Sequence, residues 1–251
     1  MSEPLIDYTL HLADNALILG HRNSEWCGHG PVLEQDIAIT NISLDLIGQA
    51  RNFYQYAADL TNARSIEPSA GGDIEGAVTE DDFAYFRDSP GFKNILLVEQ
   101  PKGDWAQTIL RQFLFSAYQK ILFEKLMDSK DGQIAAIAGK ALKEIAYHLR
   151  WSSEWVIRLG DGTEESHARI VKAIDELWAY TSEMFLPAPY ELQMLNNEIG
   201  TDVTALRGTW TQNIKSVFDE APIRRLGARD RCNHPGNLLI RDCLRPSIVF
   251  V

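Results

Sequence analysis

Between Asp104 and Met127 the chain is apolar on nearly every side of a helical wheel, with Trp105, Ile109, Leu110, Phe113, Leu114, Phe115, Ala117, Tyr118, Ile121, Leu122, Phe123 and Leu126 falling all round it. A helix with no polar face is stable only where other elements cover it on all sides. Asp104 is a good N-cap, and Gln107 three residues later completes a capping box. This segment therefore belongs at the centre of a helical bundle, and the rest of the chain must wrap it.

The remaining pattern agrees. Apolar residues recur at helical rather than strand spacing almost everywhere before residue 218. A first helix is expected from about Pro4 to Gly20 and a loop over His21–Pro31. A long, Pro-free second helix follows over Glu34–Asn62. Ala63–Pro90 reads as a loop with weak order near Ser69–Gly76 and a scrap of helix around Phe83–Phe86. After the central helix a turn at Asp128–Gly132 leads to a helix over Gln133–Leu159, with Gly160 as its C′ residue. Thr163 caps a helix reaching Phe185, ended by Pro187 and Pro189, and Asp202 or Thr201 caps a last one over Val203–Phe218. The fold class is all-α, an elongated antiparallel bundle of the ferritin-like kind.

Composition excludes several functions. The 251 residues carry a net charge of −11, which argues against a general nucleic-acid binder. No apolar run approaches the ~20 residues of a membrane span. Three cysteines (Cys27, Cys232 and Cys243) and no leader-like N-terminus point to a reducing, cytoplasmic location. No phosphate-binding loop or C-x-x-C pair is present. The charge is uneven: residues 219–251 carry +2, with six Arg and no Lys, and the rest carries −13.

A long bundle invites a carboxylate-bridged di-iron centre, which takes one Glu from each of two helices and an E-x-x-H from each of two others. The spacing matters because residues three apart share a helix face. Of the six histidines only His167 has a Glu three residues before it, Glu164, and that pair sits in the first turn of its helix rather than mid-bundle. The equivalent central positions are Ser116 with Gln119, Glu144 with Tyr147 or Ile145 with His148, and Asp175 with Trp178. None supplies both hard ligands, so the architecture lacks a complete di-iron ligand set.

A polar stripe remains. Asn41, Asp45, Gln49 and Asn52 share one face of the second helix, and Lys140, Glu144 and His148 one face of the fourth. The stripe reads either as a solvated face or as an axial network in which Asp45, Glu144 and His148 satisfy one another where iron would otherwise sit. The degenerate metal-site positions are thus Asp45, Gln49, Ser116, Gln119, Glu144, Tyr147, His148 and Asp175. Cys27, beside Glu25 and His29, lacks a base and orienting group and reads as a free thiol.

The segments SEWCGHGPVLEQDIAITNISLDLIGQARNFYQYAADL, NILLVEQPKGDWAQTILRQFLFSAYQKILFEKLMDS, KALKEIAYHLRWSSEWVIRLGDGTEES and ELWAYTSEMF closely resemble the C subunits (PaaC) of the bacterial phenylacetyl-CoA epoxidases, over about residues 5–218. The resemblance implies a ferritin-fold subunit that has lost its metal site. It implies a partner, the homologous catalytic A subunit, which carries the di-iron centre and epoxidises the ring of phenylacetyl-CoA with O2 in aerobic phenylacetate catabolism. It further implies a reductase subunit supplying electrons from NADPH through FAD and an iron–sulfur cluster, with no cofactor in this chain, no nucleic acid and no membrane.

Two other functions fit less well: a bundle oxygenase with an atypical site around Asp45, Glu144 and His148, and a small-molecule binding module, for which the aromatic interior leaves little room. The resemblance stops near Phe218, where the family continues into a final amphipathic helix. Residues 1–218 are therefore expected to form the bundle and 219–251 a divergent tail, read out of frame or introduced in cloning.

Overall fold

The computed structural model describes residues 3–65, 76–221 and 223. The central helix, α5, spans Trp105–Leu126. Its N-terminus is the expected capping box: Asp104 Oδ1 accepts the Gln107 amide and Gln107 Oε1 accepts the Asp104 amide, both at 3.0 Å. Its apolar residues are buried on every side.

Around it lie α1 (Glu3–Ser24), α2 (Leu33–Ser65), α6 (Gly132–Gly160), α7 (Glu164–Leu177) and α9 (Val203–Glu220). α1 pairs along α2 and α5 along α6, while α7 and α9 close over α5 and α6. Three short helices, α3 (Glu80–Tyr85), α4 (Leu96–Glu99) and α8 (Pro189–Asn196), sit in the connections. The described residues contain no strand, and the fold is an all-α, ferritin-like bundle. None of their helices is long and apolar enough to cross a membrane.

Side chains fix the register of α2 against α6. Gln35 Oε1 accepts the indole N–H of Trp151 and Trp155 at 3.2 and 2.8 Å, Asp45 meets His148, Gln49 meets Glu144, and Tyr56 donates to Asp131 at 2.5 Å. The partner number falls as the α2 number rises, so the two helices are antiparallel.

The structure departs from the sequence reading in four places. α1 continues through His21 to Ser24, because Asn23 is buried and donates to Gln112 Oε1 at 2.6 Å. The helix expected to reach Phe185 stops at Leu177 and tightens into a 3₁₀ segment, Trp178–Phe185. A three-residue turn stacks Trp178, Thr181 and Met184 on one side, and Thr181 and Met184 are buried there. Pro189 does not only end the preceding segment; it opens α8 from the first turn, where proline loses no hydrogen bond.

Gly160, lastly, is not a left-handed cap. It remains in α6 while Asp161 caps the helix. Glycine is needed there for close approach, since a Cβ would lie 2.3 Å from the Ala221 carbonyl oxygen and 2.9 Å from Ile223 Cγ1. The short helix around Phe83 exists as α3. All of the segment expected to be weakly ordered but Gly76, and the tail beyond Ala221 except Ile223, lie outside the described residues.

Gly160→Ala should therefore destabilise the protein by about 1–3 kcal/mol, as overpacking does. Gly139→Ala, also in α6 with nothing within 4 Å of the added methyl, should instead add ~0.5–1 kcal/mol. Urea denaturation of the two variants tests the pair, and equal midpoints would contradict the close-approach reading.

Candidate functional site

α5 is apolar all round in composition, yet Thr108, Gln112, Ser116 and Gln119 recur along one of its faces and all four are buried. A buried amide or hydroxyl without a partner costs about 1–3 kcal/mol, so the neighbouring helices must supply partners. Thr108 Oγ1 accepts the Trp26 indole N–H at 2.8 Å and donates to the Lys102 carbonyl at 2.8 Å. Asn23 Nδ2 donates to Gln112 Oε1 at 2.6 Å, and Gln112 Nε2 donates to Ser116 Oγ at 2.8 Å. Gln119 Nε2 donates to Gln49 Oε1 at 3.0 Å, and Gln49 Nε2 donates to Glu144 Oε2 at 2.9 Å.

One turn along α2 and α6, His148 Nε2 lies 3.0 Å from Asp45 Oδ2 and donates to that carboxylate. The His148 side chain is 0 % exposed, whereas that of Asp45 is 37 % exposed. Asp45, Glu144 and His148 thus do not converge on one point. They form two adjacent links, His148 to Asp45 and Glu144 to Gln49, with both carboxylates at the rim.

The other positions separate from these. Ser116 belongs to the Asn23–Gln112 chain. Tyr147 faces outward, with the Arg150 guanidinium 5.7 Å from its ring centre. Asp175 is exposed on α7, and Asn41 and Lys140 are exposed at the ends of their stripes. His167 turns from Glu164 to the Gly160 carbonyl at 2.7 Å, a cap for the end of α6 rather than a ligand pair. Cys27 is free and exposed, and the His29 ring contacts the Cys27 carbonyl, not its thiol.

These residues do not fit a carboxylate-bridged di-iron centre. The central positions of α2, α5 and α6 present two glutamines and a serine beside Asp45, Glu144 and His148, and of these His148 already meets Asp45 and Glu144 already accepts from Gln49. Among the described residues no three His, Cys, Asp or Glu converge as metal ligands.

Sequence reasoning missed a second buried cluster. Asp14 is fully buried in α1. Its carboxylate accepts the Tyr54 hydroxyl at 2.6 Å, the Lys93 amide at 2.7 Å and both terminal nitrogens of Arg87, one of them at 3.1 Å. Burial, then the Asp14 charge, holds the Tyr54 hydroxyl far above its usual range, so it stays a donor.

Beside it, Asn15 Oδ1 accepts the Ile95 amide at 2.8 Å and His11 Nδ1 lies 2.7 Å from the Lys93 carbonyl. These contacts fasten the connection between α2 and α5 onto α1. The signal for them was the polar pair Asp14-Asn15 inside the apolar run Leu12–Leu19, since polar groups in a buried helix require partners. Arg111 is also fully buried. Its guanidinium donates to the carbonyls of Gln100 and Pro101, and burial lowers its pKa to about 9.

Two stability tests follow from this geometry. Gln49→Leu alone should cost about 1–3 kcal/mol because it strands Gln119 and Glu144, and adding Gln119→Leu should cost less than the sum of the single changes. Strict additivity in a double-mutant cycle would mean the link is not formed. Arg87→Met, which leaves Asp14 buried without its cation, should cost about 3–5 kcal/mol. Arg169→Met, at an exposed pair with Glu165, should leave the urea midpoint where it is.

The model of the family described as phenylacetic acid catabolic protein (PaaA_PaaC) matches residues 1–225. The C subunit of the 1,2-phenylacetyl-CoA epoxidase of Escherichia coli (strain K12) is 44% identical over 219 residues, covering 87% of this chain and 83% of that protein. With a family match over most of its length and a relative 44% identical over 219 residues, this chain belongs to the phenylacetic acid catabolic protein family.

Proposed function

We propose that the chain is a non-catalytic structural subunit of a phenylacetyl-CoA epoxidase. It pairs with a homologous catalytic A subunit whose di-iron centre inserts one atom of O2 into the aromatic ring of phenylacetyl-CoA. Electrons reach that centre from NADPH through a reductase subunit with FAD and an iron–sulfur cluster. This chain itself carries no cofactor and acts in the cytoplasm. The reading is supported by its similarity to the C subunit of an epoxidase of that kind.

The observation that carries it is the Gln119–Gln49–Glu144 chain beside His148–Asp45. The groups where a ferritin-like bundle would hold metal are two amides, two rim carboxylates and a histidine, hydrogen-bonded to one another in two links. An amide is a neutral, weak ligand for a hard cation, and removing any one group strands its neighbours. The network therefore stabilises the bundle as a rigid scaffold. An oxygenase site at Asp45, Glu144 and His148 is disfavoured, because His148 Nε2 is committed to Asp45 and Glu144 to Gln49.

Co-expression with the catalytic subunit, followed by iron assay of the complex and of this chain alone, tests the proposal. The two chains should co-elute, with iron in the complex and only trace iron in this chain. Stoichiometric iron in the isolated chain, or ring oxidation by it alone, would falsify the scaffold reading.

A further inference from the structure

α2 and α6 together present an outer surface that nothing in this chain covers among the described residues. On α2, Leu33 is 70 %, Ile37 53 % and Leu44 62 % exposed, with Val32 exposed just before the helix. The spacing of 33, 37 and 44 puts these three on one ridge. On α6, Lys140, Lys143, Tyr147 and Arg150 are exposed, again on one face.

The two faces look the same way. Leu44 precedes Asp45 and Tyr147 precedes His148, and Asp45 and His148 form the contact between the helices. Moving one residue towards the N-terminus rotates outward by the same angle on each helix. Because α2 and α6 are antiparallel, both steps lead to the same side of the pair.

This surface gathers three cations that have no ion pair; Lys102, Lys125 and Arg207 also form none among the described residues, but each stands on a different element. Lys120, Arg158, Arg169, Lys172 and Lys215 each pair with an acid four residues away on their own helix. Among the described residues Lys140, Lys143 and Arg150 form no ion pair, in a chain whose net charge is −11. Arg150 instead lies over the exposed Tyr147 ring, and Tyr and Arg are the residue types that dominate binding hot spots.

The surface extends for about 30 Å along both helices and ~20 Å across them, on the order of the ~800 Å² per partner that a stable complex buries. A ridge of leucine and isoleucine beside unpaired cations calls for a partner helix with the same apolar spacing, flanked by carboxylates.

We propose that the α2–α6 outer face, centred on Ile37, Leu44, Tyr147 and Arg150, is the surface on which this chain docks another helical-bundle subunit, one that presents an apolar helix ridge edged with Asp or Glu. The inference rests on the scaffold reading above and identifies that occupant with the catalytic subunit. The apolar ridge supplies affinity, and Lys140, Lys143 and Arg150 supply steering and orientation.

The test uses the purified full-length chain and catalytic subunit. Leu44→Asp should weaken binding by about tenfold or more. Lys140→Glu/Lys143→Glu/Arg150→Glu should weaken it and abolish its dependence on salt. Leu192→Asp, at another exposed apolar position on α8, should bind as the parent does. Thermal melts of each variant check folding.

Hydrogen exchange of the unaltered complex, which needs no variant, should show protection over 33–51 and 136–150. If the parent chain fails to bind the catalytic subunit at all, the scaffold reading itself falls. If it binds but protection lies elsewhere and the variants bind normally, only this face is wrong. Protection of the same segments in this chain alone, with self-association, would assign the face to a second copy and overturn the proposal.

Discussion

The buried polar face of α5 is the constraint on which the bundle depends. Thr108, Gln112, Ser116 and Gln119 sit inside the central helix, where an amide or hydroxyl without a partner is expensive. Each must therefore meet a complementary group at one particular height: Trp26 and Asn23 from the end of α1 and its loop, Gln49 from the middle of α2. Apolar contacts tolerate sliding by a residue. These hydrogen bonds do not, and they set where α1 and α2 stand along α5. Gln49 passes the constraint on to α6 through Glu144, and His148 with Asp45 repeats it one turn away.

A second set of contacts ties the surface to that frame. Arg87 and the Lys93 amide reach Asp14 inside α1, and Ile95 reaches Asn15, so the irregular stretch between α2 and α5 is held by the buried face of the first helix. At the other end Gly160 lets Ala221 and Ile223 lie directly on α6, and His167 accepts the task of capping that helix. The outcome is a bundle whose connections are pinned at both ends.

The same network bears on chemistry. In a bundle whose central positions carry carboxylates and histidines, mutual repulsion leaves the groups in need of a cation. Glutamine at two of these positions lessens that repulsion, because its amide donates and accepts and so links Gln119, Gln49 and Glu144 by hydrogen bonds. What is left exposed is the outer side of α2 and α6, where apolar residues and unpaired cations lie side by side.

The long helices were legible in the sequence, though not the short α4 and α8, because apolar spacing and end signals are local: Asp104, Thr163 and Asp202 cap the helices they precede. The incomplete E-x-x-H spacing could be read there as well, being a matter of residue type at fixed intervals. Less could be read where partners are distant in the chain. Asp14 with Arg87, Asn23 with Gln112 and Gln49 with Gln119 are each about 70 or more residues apart, and nothing local announces which polar residue meets which.

For the same reason Gly160 looked like a cap when it is a site of close contact, and the Trp178–Phe185 segment looked α-helical when packing tightens it. The sequence alone determined that this chain is a helical bundle with α5 at its centre and a single E-x-x-H pair, since both follow from residue type and local period. Only the tertiary structure decided which polar groups pair, which carboxylates stay at the rim and which helix face is left open, because those depend on how helices far apart in sequence are rotated and placed against one another.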